Sequence, residues 1–227
     1  MLIGFLQCGH FATAAGYPVR TYHDLYSDFL SGYGFDFRTW SVVDMEFPKS
    51  VHDADGWLIS GSRHGAYEDL PFIRPLEDFI RAAYAEGVPM VGICFGHQIL
   101  AQALGGKVEK FKDGWSVGST DYDFGGETLS LNAWHQDQVV EAPADAEVIA
   151  SSDFCRYAGF SYKGKAMSLQ PHPEFGRGEV DMLLAARAPG VVEPDRIEGA
   201  AARLDRPSHN RVMADRIAEF FKEAQNG

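Results

Sequence analysis

Short apolar runs and amphipathic stretches alternate along the first half of the chain. Leu2, Ile3, Phe5 and Leu6 make residues 2–6 a strand, and residues 21–30 set Tyr22, Leu25, Tyr26 and Phe29 at helical spacing. Residues 35–43 return to strand-like character, and Trp57, Leu58 and Ile59 form a short buried strand closed by Ser60, Gly61 and Ser62. Pro71 suits the first turn of the next helix, whose stripe is Phe72, Ile73, Leu76, Phe79, Ile80 and Ala83 and whose end is Gly87. Residues 88–93 are nearly all apolar, as in a central parallel strand covered on both faces. Ile99, Leu100, Ala103 and Leu104 then form a helical stripe stopped by Gly105 and Gly106.

This rhythm predicts an α/β fold: a mostly parallel twisted sheet flanked by helices. Between residues 107 and 170 short strand-like runs (128–134, 147–150, 166–169) are separated by Gly, Asp and Pro turns, which predicts antiparallel additions in the second half. From Gly178 onward the pattern is helical, with a last helix over 208–225 turning Val212, Ile217, Phe220 and Phe221 inward. No repeat or linker interrupts the 227 residues, so they are expected to form a single domain, 1–227.

Composition narrows the chemistry. Twenty basic against 32 acidic residues leave a net charge of −12 with no long basic run, which argues against nucleic acid or an anionic membrane as partner. The apolar start of the chain has no preceding Lys or Arg, and no apolar run reaches the length of a membrane span. Cys8, Cys94 and Cys155 fit neither a disulfide framework nor a zinc ribbon, so a cytoplasmic setting is expected.

One cysteine stands apart. Cys94 lies between Gly92 and Gly96, where the apolar strand meets a helix. A nucleophile on such an elbow needs a strained backbone, and side chains two residues away would crowd the turn. The helix that follows directs unpaired N–H groups and its positive end at the sulfur, which favours thiolate. A small core cysteine with packing glycines is the alternative reading. A thiolate nucleophile needs an imidazole to move the proton and a group to orient it. His172 lies between Pro171 and Pro173, an arrangement that holds it extended, so Glu174 projects to the same side and can bond its second ring nitrogen. Phe95 N–H and a close-approaching Gly61 N–H are candidate oxyanion donors, although 60–62 could equally be a ligand-free turn.

Taken together, Gly92-Ile93-Cys94-Phe95-Gly96-His97-Gln98, Ser60-Gly61-Ser62 and His172-Pro173-Glu174 resemble the class I glutamine amidotransferases, over about residues 56–175. The run 96–108 looks most like the amidotransferase domain of GMP synthase and like stand-alone γ-glutamyl peptidases. The resemblance implies a flavodoxin-like architecture and a triad of nucleophile Cys94, acid/base His172 and orienting Glu174. It also implies oxyanion donors at Gly61 and Phe95, and substrate contacts from Gln98, Ser62, His135 and Gln136. No cofactor and no metal are implied. Departures are Arg63-His64-Gly65-Ala66-Tyr67 where relatives often carry a proline-containing loop, and Gln170-Pro171 where a glycine often precedes the histidine.

No second catalytic module follows Phe175, so an acceptor half-reaction lies elsewhere or does not exist. The first reading is a glutaminase that passes ammonia to a separate synthetase partner, the second a self-sufficient hydrolase of γ-glutamyl peptides or amides. A third is a non-enzymatic binding module. Cys8 and Cys155 read as core residues, Glu68-Asp69 as a helix N-terminus, and the arginines between 187 and 216 as solvated helix faces.

Overall fold

The computed structural model describes residues 1–226. Its centre is a seven-stranded sheet, built from β1 (Leu2–Leu6), β2 (Asp36–Trp40), β3 (Gly56–Ile59), β4 (Met90–Ile93), β9 (Glu147–Ala150), β10 (Gly159–Tyr162) and β11 (Ala166–Leu169). The spatial order is β2-β1-β3-β4-β11-β10-β9, parallel from β2 through β11, with β10 and β9 added antiparallel. Because the chain steps outward from β1 in both directions, a crevice opens beyond the carboxyl ends of the strands, where ligands bind in open α/β sheets.

Helices cover both faces. Leu58, Val91 and Ile93 pack on one side with α1 (Tyr22–Phe29), α4 (Arg177–Ala186), α5 (Pro194–Ala201) and α6 (Asn210–Asn226). Trp57, Ile59 and Met90 pack on the other with α2 (Ile73–Glu86) and α3 (Phe95–Ala103). Alternate side chains of one strand thus serve two cores, which is why the strands read as continuous apolar runs.

Three expectations need correction. The second strand ends at Trp40, since Val42–Asp44 turns into a single 3₁₀ turn. Pro71 precedes the N-cap Phe72, and the proline inside the first turn of α2 is Pro75, whose missing N–H would have no helical acceptor there. Glu68 and Asp69 consequently lie in the loop before α2, where Glu68 accepts the Gly65 N–H at 2.9 Å. In α6 Met213 and Ala214 are buried beside Ile217 and Phe221, while Val212 and Phe220 are half-buried.

The second-half strands form more than the sheet extension. β5 (Lys107–Lys110) pairs with β8 (Asp137–Glu141), and β6 (Ser116–Phe124) pairs over its full length with β7 (Glu127–His135). Gly125 and Gly126 close that hairpin with φ of 70° and 98°, as a tight turn between right-twisted strands requires. Its open end carries Trp134 and His135 back to the carboxyl edge of the main sheet.

His97 ties α3 to β11. Its Nε2–H donates to the Tyr157 carbonyl at 3.0 Å, so Nδ1 accepts from the Ser168 hydroxyl at 2.8 Å. Burial pushes this imidazole down to about 3. An unfolded histidine titrates near 6.5, so between about pH 6.5 and 3 the unfolded chain binds a proton that the native site refuses. The stability contributed by neutral His97 is therefore full above 6.5 and lost as pH falls through that window. His97→Gln, which can keep both hydrogen bonds, is expected to flatten the acid arm of a Tm-against-pH curve; parallel curves for parent and variant would refute this.

Candidate active site

At the carboxyl end of β4 the backbone turns abruptly into α3, and Cys94 sits on the turn with φ 55° and ψ −102°. This is left-handed territory that L residues avoid, held here by the strand on one side and the helix on the other. The flanking glycines have a steric cause. A Cβ on Gly92 would lie 2.4 Å from the Gly96 carbonyl oxygen, and one on Gly96 would lie 2.2 Å from that of Ile59. Any side chain at either position would push α3 off the sheet.

His172 follows β11, the strand beside β4. Its N–H donates to the Asn132 carbonyl at 2.8 Å, an isolated bridge to β7 that fixes the extended conformation. The Nδ1–H donates to Glu174 Oε1 at 2.7 Å, and the ring stacks on Phe175 with centroids 4.0 Å apart. The opposite edge of the ring faces the Cys94 sulfur. Burial pushes the imidazole down, but the facing charges of Cys94 and Glu174 push it up by more, to about 10. The structure therefore holds a proton on His172 beside Cys94 at neutral pH.

Glu174 is itself held from the other side of the fold. The Tyr26 hydroxyl, on α1, donates to the same Oε1 at 2.8 Å, while Oε2 has no partner among the described residues. Tyr26 lies 148 residues from Glu174 in the chain, and its helical spacing signals only a core position; the sequence carries no sign of this bond.

Gly61 lies against the histidine. A Cβ there would be 3.0 Å from both His172 Cε1 and the Tyr22 hydroxyl, so only glycine lets the backbone come this close. Among the described residues neither the Gly61 nor the Phe95 N–H has an acceptor. Both remain available as donors beside the nucleophile.

Cys94, His172, Gln98, Ser62, His135 and Gln136 all line one cavity of about 390 Å³. Glu174 lies behind His172, away from it. The Gln98 amide is largely committed: Nε2 donates to the Asp137 carbonyl at 2.9 Å and to Gln170 Oε1 at 3.1 Å, which leaves its own Oε1 for a ligand. Ser62 Oγ accepts the His64 N–H at 3.1 Å, and Gln136 Nε2 donates to the Phe111 carbonyl at 3.2 Å. His135 Nδ1–H donates to the Asp137 carbonyl at 3.2 Å, so Nε2 is a bare, buried acceptor with no partner among the described residues. Burial pushes that ring down to about 3, which keeps it neutral.

The other two cysteines are buried, and burial pushes both thiols up, that of Cys155 to about 12. Among the described residues no group of three or more His, Cys, Asp or Glu is placed to hold a metal ion, and no helix is long and apolar enough to cross a membrane.

Comparison with known proteins places the chain among relatives of known family. The family model described as "Glutamine amidotransferase class-I" matches residues 33–187. Gamma-glutamyl peptidase 4 of Arabidopsis thaliana is 31% identical over 222 residues, covering 90% of this chain and 88% of the relative. A glutamine-hydrolyzing GMP synthase of Staphylococcus saprophyticus is 36% identical over 140 residues, 58% of this chain but 26% of that protein. The crystal structure of a glutamine amido transferase from Methylobacillus flagellatus superposes with a TM-score of 0.72 at 22% identity, over 99% of this chain and 93% of that one.

Proposed function

The chain belongs to the class I glutamine amidotransferase family, and on that premise we propose that it hydrolyses γ-glutamyl amides through a covalent Cys94 thioester. The observation that carries this reading is Cys94 on a strained strand-to-helix elbow, facing a buried histidine that Glu174 orients at 2.7 Å.

Cys94 attacks the γ-carbonyl carbon as the thiolate, and the carbonyl π electrons move onto oxygen. The Gly61 and Phe95 N–H groups hold that oxyanion, whose charge appears only as the transition state forms. The C–N bond then breaks, the oxyanion reforms its double bond, and His172 gives its proton to the departing nitrogen. Neutral His172 takes a proton from water, the hydroxide displaces sulfur from the thioester, and glutamate leaves with the Cys94 thiolate restored. Glu174 keeps Nδ1 protonated throughout, so Nε2 is always the nitrogen that exchanges protons. At the glutamyl end His135 Nε2 accepts from the α-ammonium group, Ser62 and Gln136 border the substrate, and Gln98 offers Oε1 while it holds the Asp137 turn in place.

Two features favour a self-sufficient γ-glutamyl hydrolase over a glutaminase serving a separate synthetase. The cavity is in the size range of sites for ligands larger than a free amino acid, about 300–1,000 Å³. The likeness to the Arabidopsis peptidase runs nearly end to end, whereas a GMP synthase matches over only a quarter of its length. The test is glutamate release by the purified chain alone from L-glutamine and from γ-glutamyl dipeptides. Turnover of a dipeptide exceeding that of glutamine is expected; turnover of glutamine alone, appearing only when a synthetase is added, would restore the partner-dependent reading.

A further inference from the structure

Although the chain carries a net charge of −12, three cations, Arg63, Lys110 and Arg187, border the cavity against two carboxylates, Glu68 and Asp137. Among the described residues the Arg63 and Arg187 guanidinium groups have no ion-pair, hydrogen-bond or ring partner. Many of the chain's other arginines do; Arg206 and Arg177, for example, bond Asp121 and Asp205. Arg187 falls within the stretch whose arginines read from sequence as solvated helix faces. The end of α4 brings it, exposed as that reading expects, to the cavity mouth.

The two free guanidinium groups come from different segments of the chain. Arg63 belongs to the loop after β3, which meets the 135–137 turn where Gly65 lies against both Tyr67 and the Asp137 carboxylate; the Lys110 charge also acts on Asp137. Arg187, at the end of α4, lines the same cavity as the apolar Phe11, Trp115, Leu183 and Val191. That wall is continuous: Arg196 donates to the Trp115 and Asp113 carbonyls at 2.5 and 2.6 Å, which holds the loop carrying Trp115 against the segment after α4. The wall starts at the acid/base, since Phe11 packs on Phe175 with centroids 5.5 Å apart and Phe175 stacks on His172.

Resting on the hydrolase reading above, this geometry constrains the leaving group. His172 must reach the scissile nitrogen, so whatever that nitrogen carries leaves on the His172 side and meets an apolar wall with one unpaired guanidinium. We infer that Arg187 is a specificity residue that binds a carboxylate on the leaving amine, which makes γ-glutamyl conjugates of hydrophobic amino acids the preferred substrates. An apolar surface recognises the side chain, and a planar fork of N–H donors suits a carboxylate.

The experiment compares γ-glutamyl-phenylalanine with γ-glutamyl-phenethylamine, which keeps the ring and lacks the carboxylate, in the parent, Arg187→Met and Arg187→Lys. In the parent kcat/KM should favour the carboxylate by about tenfold, the scale of one charge-assisted bond at a partly solvated site. The ratio should fall to near one in Arg187→Met and recover in part in Arg187→Lys. A parent ratio near one, or a ratio that survives Arg187→Met, overturns the inference. If the parent turns over no γ-glutamyl compound, the hydrolase reading has failed separately. Arg187 is then judged by calorimetry of γ-glutamyl-phenylalanine on Cys94→Ala: about tenfold weaker binding on adding Arg187→Met supports the inference, and equal or absent binding overturns it.

Discussion

Cys94→Ala is expected to lower kcat for every γ-glutamyl substrate on the order of a millionfold, the scale on which removal of a nucleophile collapses covalent catalysis. Alanine leaves the elbow, the glycines and the oxyanion donors in place, so the variant should fold like the parent and still bind substrate. The loss would therefore lie in chemistry and hardly at all in affinity. Iodoacetamide labelling followed by peptide mass analysis provides an independent check. Cys8 and Cys155 are buried with raised thiols, so modification should fall on the cavity cysteine, Cys94, and inactivate in step with labelling. Turnover by Cys94→Ala within a hundredfold of the parent, or inactivation that tracks another cysteine, would remove Cys94 from the mechanism.

Glu174→Gln should cost roughly 10³- to 10⁴-fold in kcat, as loss of an orienting carboxylate does when it releases the imidazole tautomer. A second readout separates this from mere structural damage. In the parent, the charges of Cys94 and Glu174 outweigh burial and hold the His172 proton up to about pH 10. With the Glu174 charge gone that balance weakens, so the alkaline limb of kcat/KM should move to lower pH. A Glu174→Gln enzyme with a near-parental rate and an unmoved alkaline limb would show that the carboxylate neither orients nor charges the histidine. Tyr26, which bonds the same carboxylate oxygen, keeps a hydrogen-bond partner in this variant, so the thermal midpoint should change much less than the rate.

How far these residues could be found without the fold depends on sequence distance. The elbow was legible because Gly92, Cys94 and Gly96 conflict or fit within five residues, and steric exclusion over that span is a local property. The same holds for His172 and Glu174, two residues apart in a stretch that prolines keep extended. Strands β1, β3, β4 and β11 were legible because burial on two faces demands nearly continuous apolar runs, and β9, an exposed edge strand, was legible from the turn residues that flank it. By contrast β6 was missed: Ser116, Ser119, Thr120, Asp121 and Asp123 give it too much polarity, and it is held by pairing with β7 along its whole length. Pro71 and Pro75 compete for the same helix start, and only the packed loop before α2 selects the second.

The amino-acid sequence by itself determined the layered α/β architecture, the strained cysteine and the histidine–glutamate pair, because each follows from periodicity or steric fit among near neighbours. Tertiary structure alone decided what surrounds them. It brought Tyr26 to Glu174 across 148 residues and Asn132 to the backbone of His172, and it committed the Gln98 amide to Asp137 and Gln170. It also left Arg187 unpaired at the cavity mouth while other arginines found carboxylates. Long-range contacts of this kind depend on which loops the sheet order makes adjacent, and a polar side chain carries no local mark of the partner that closure of the chain will bring to it.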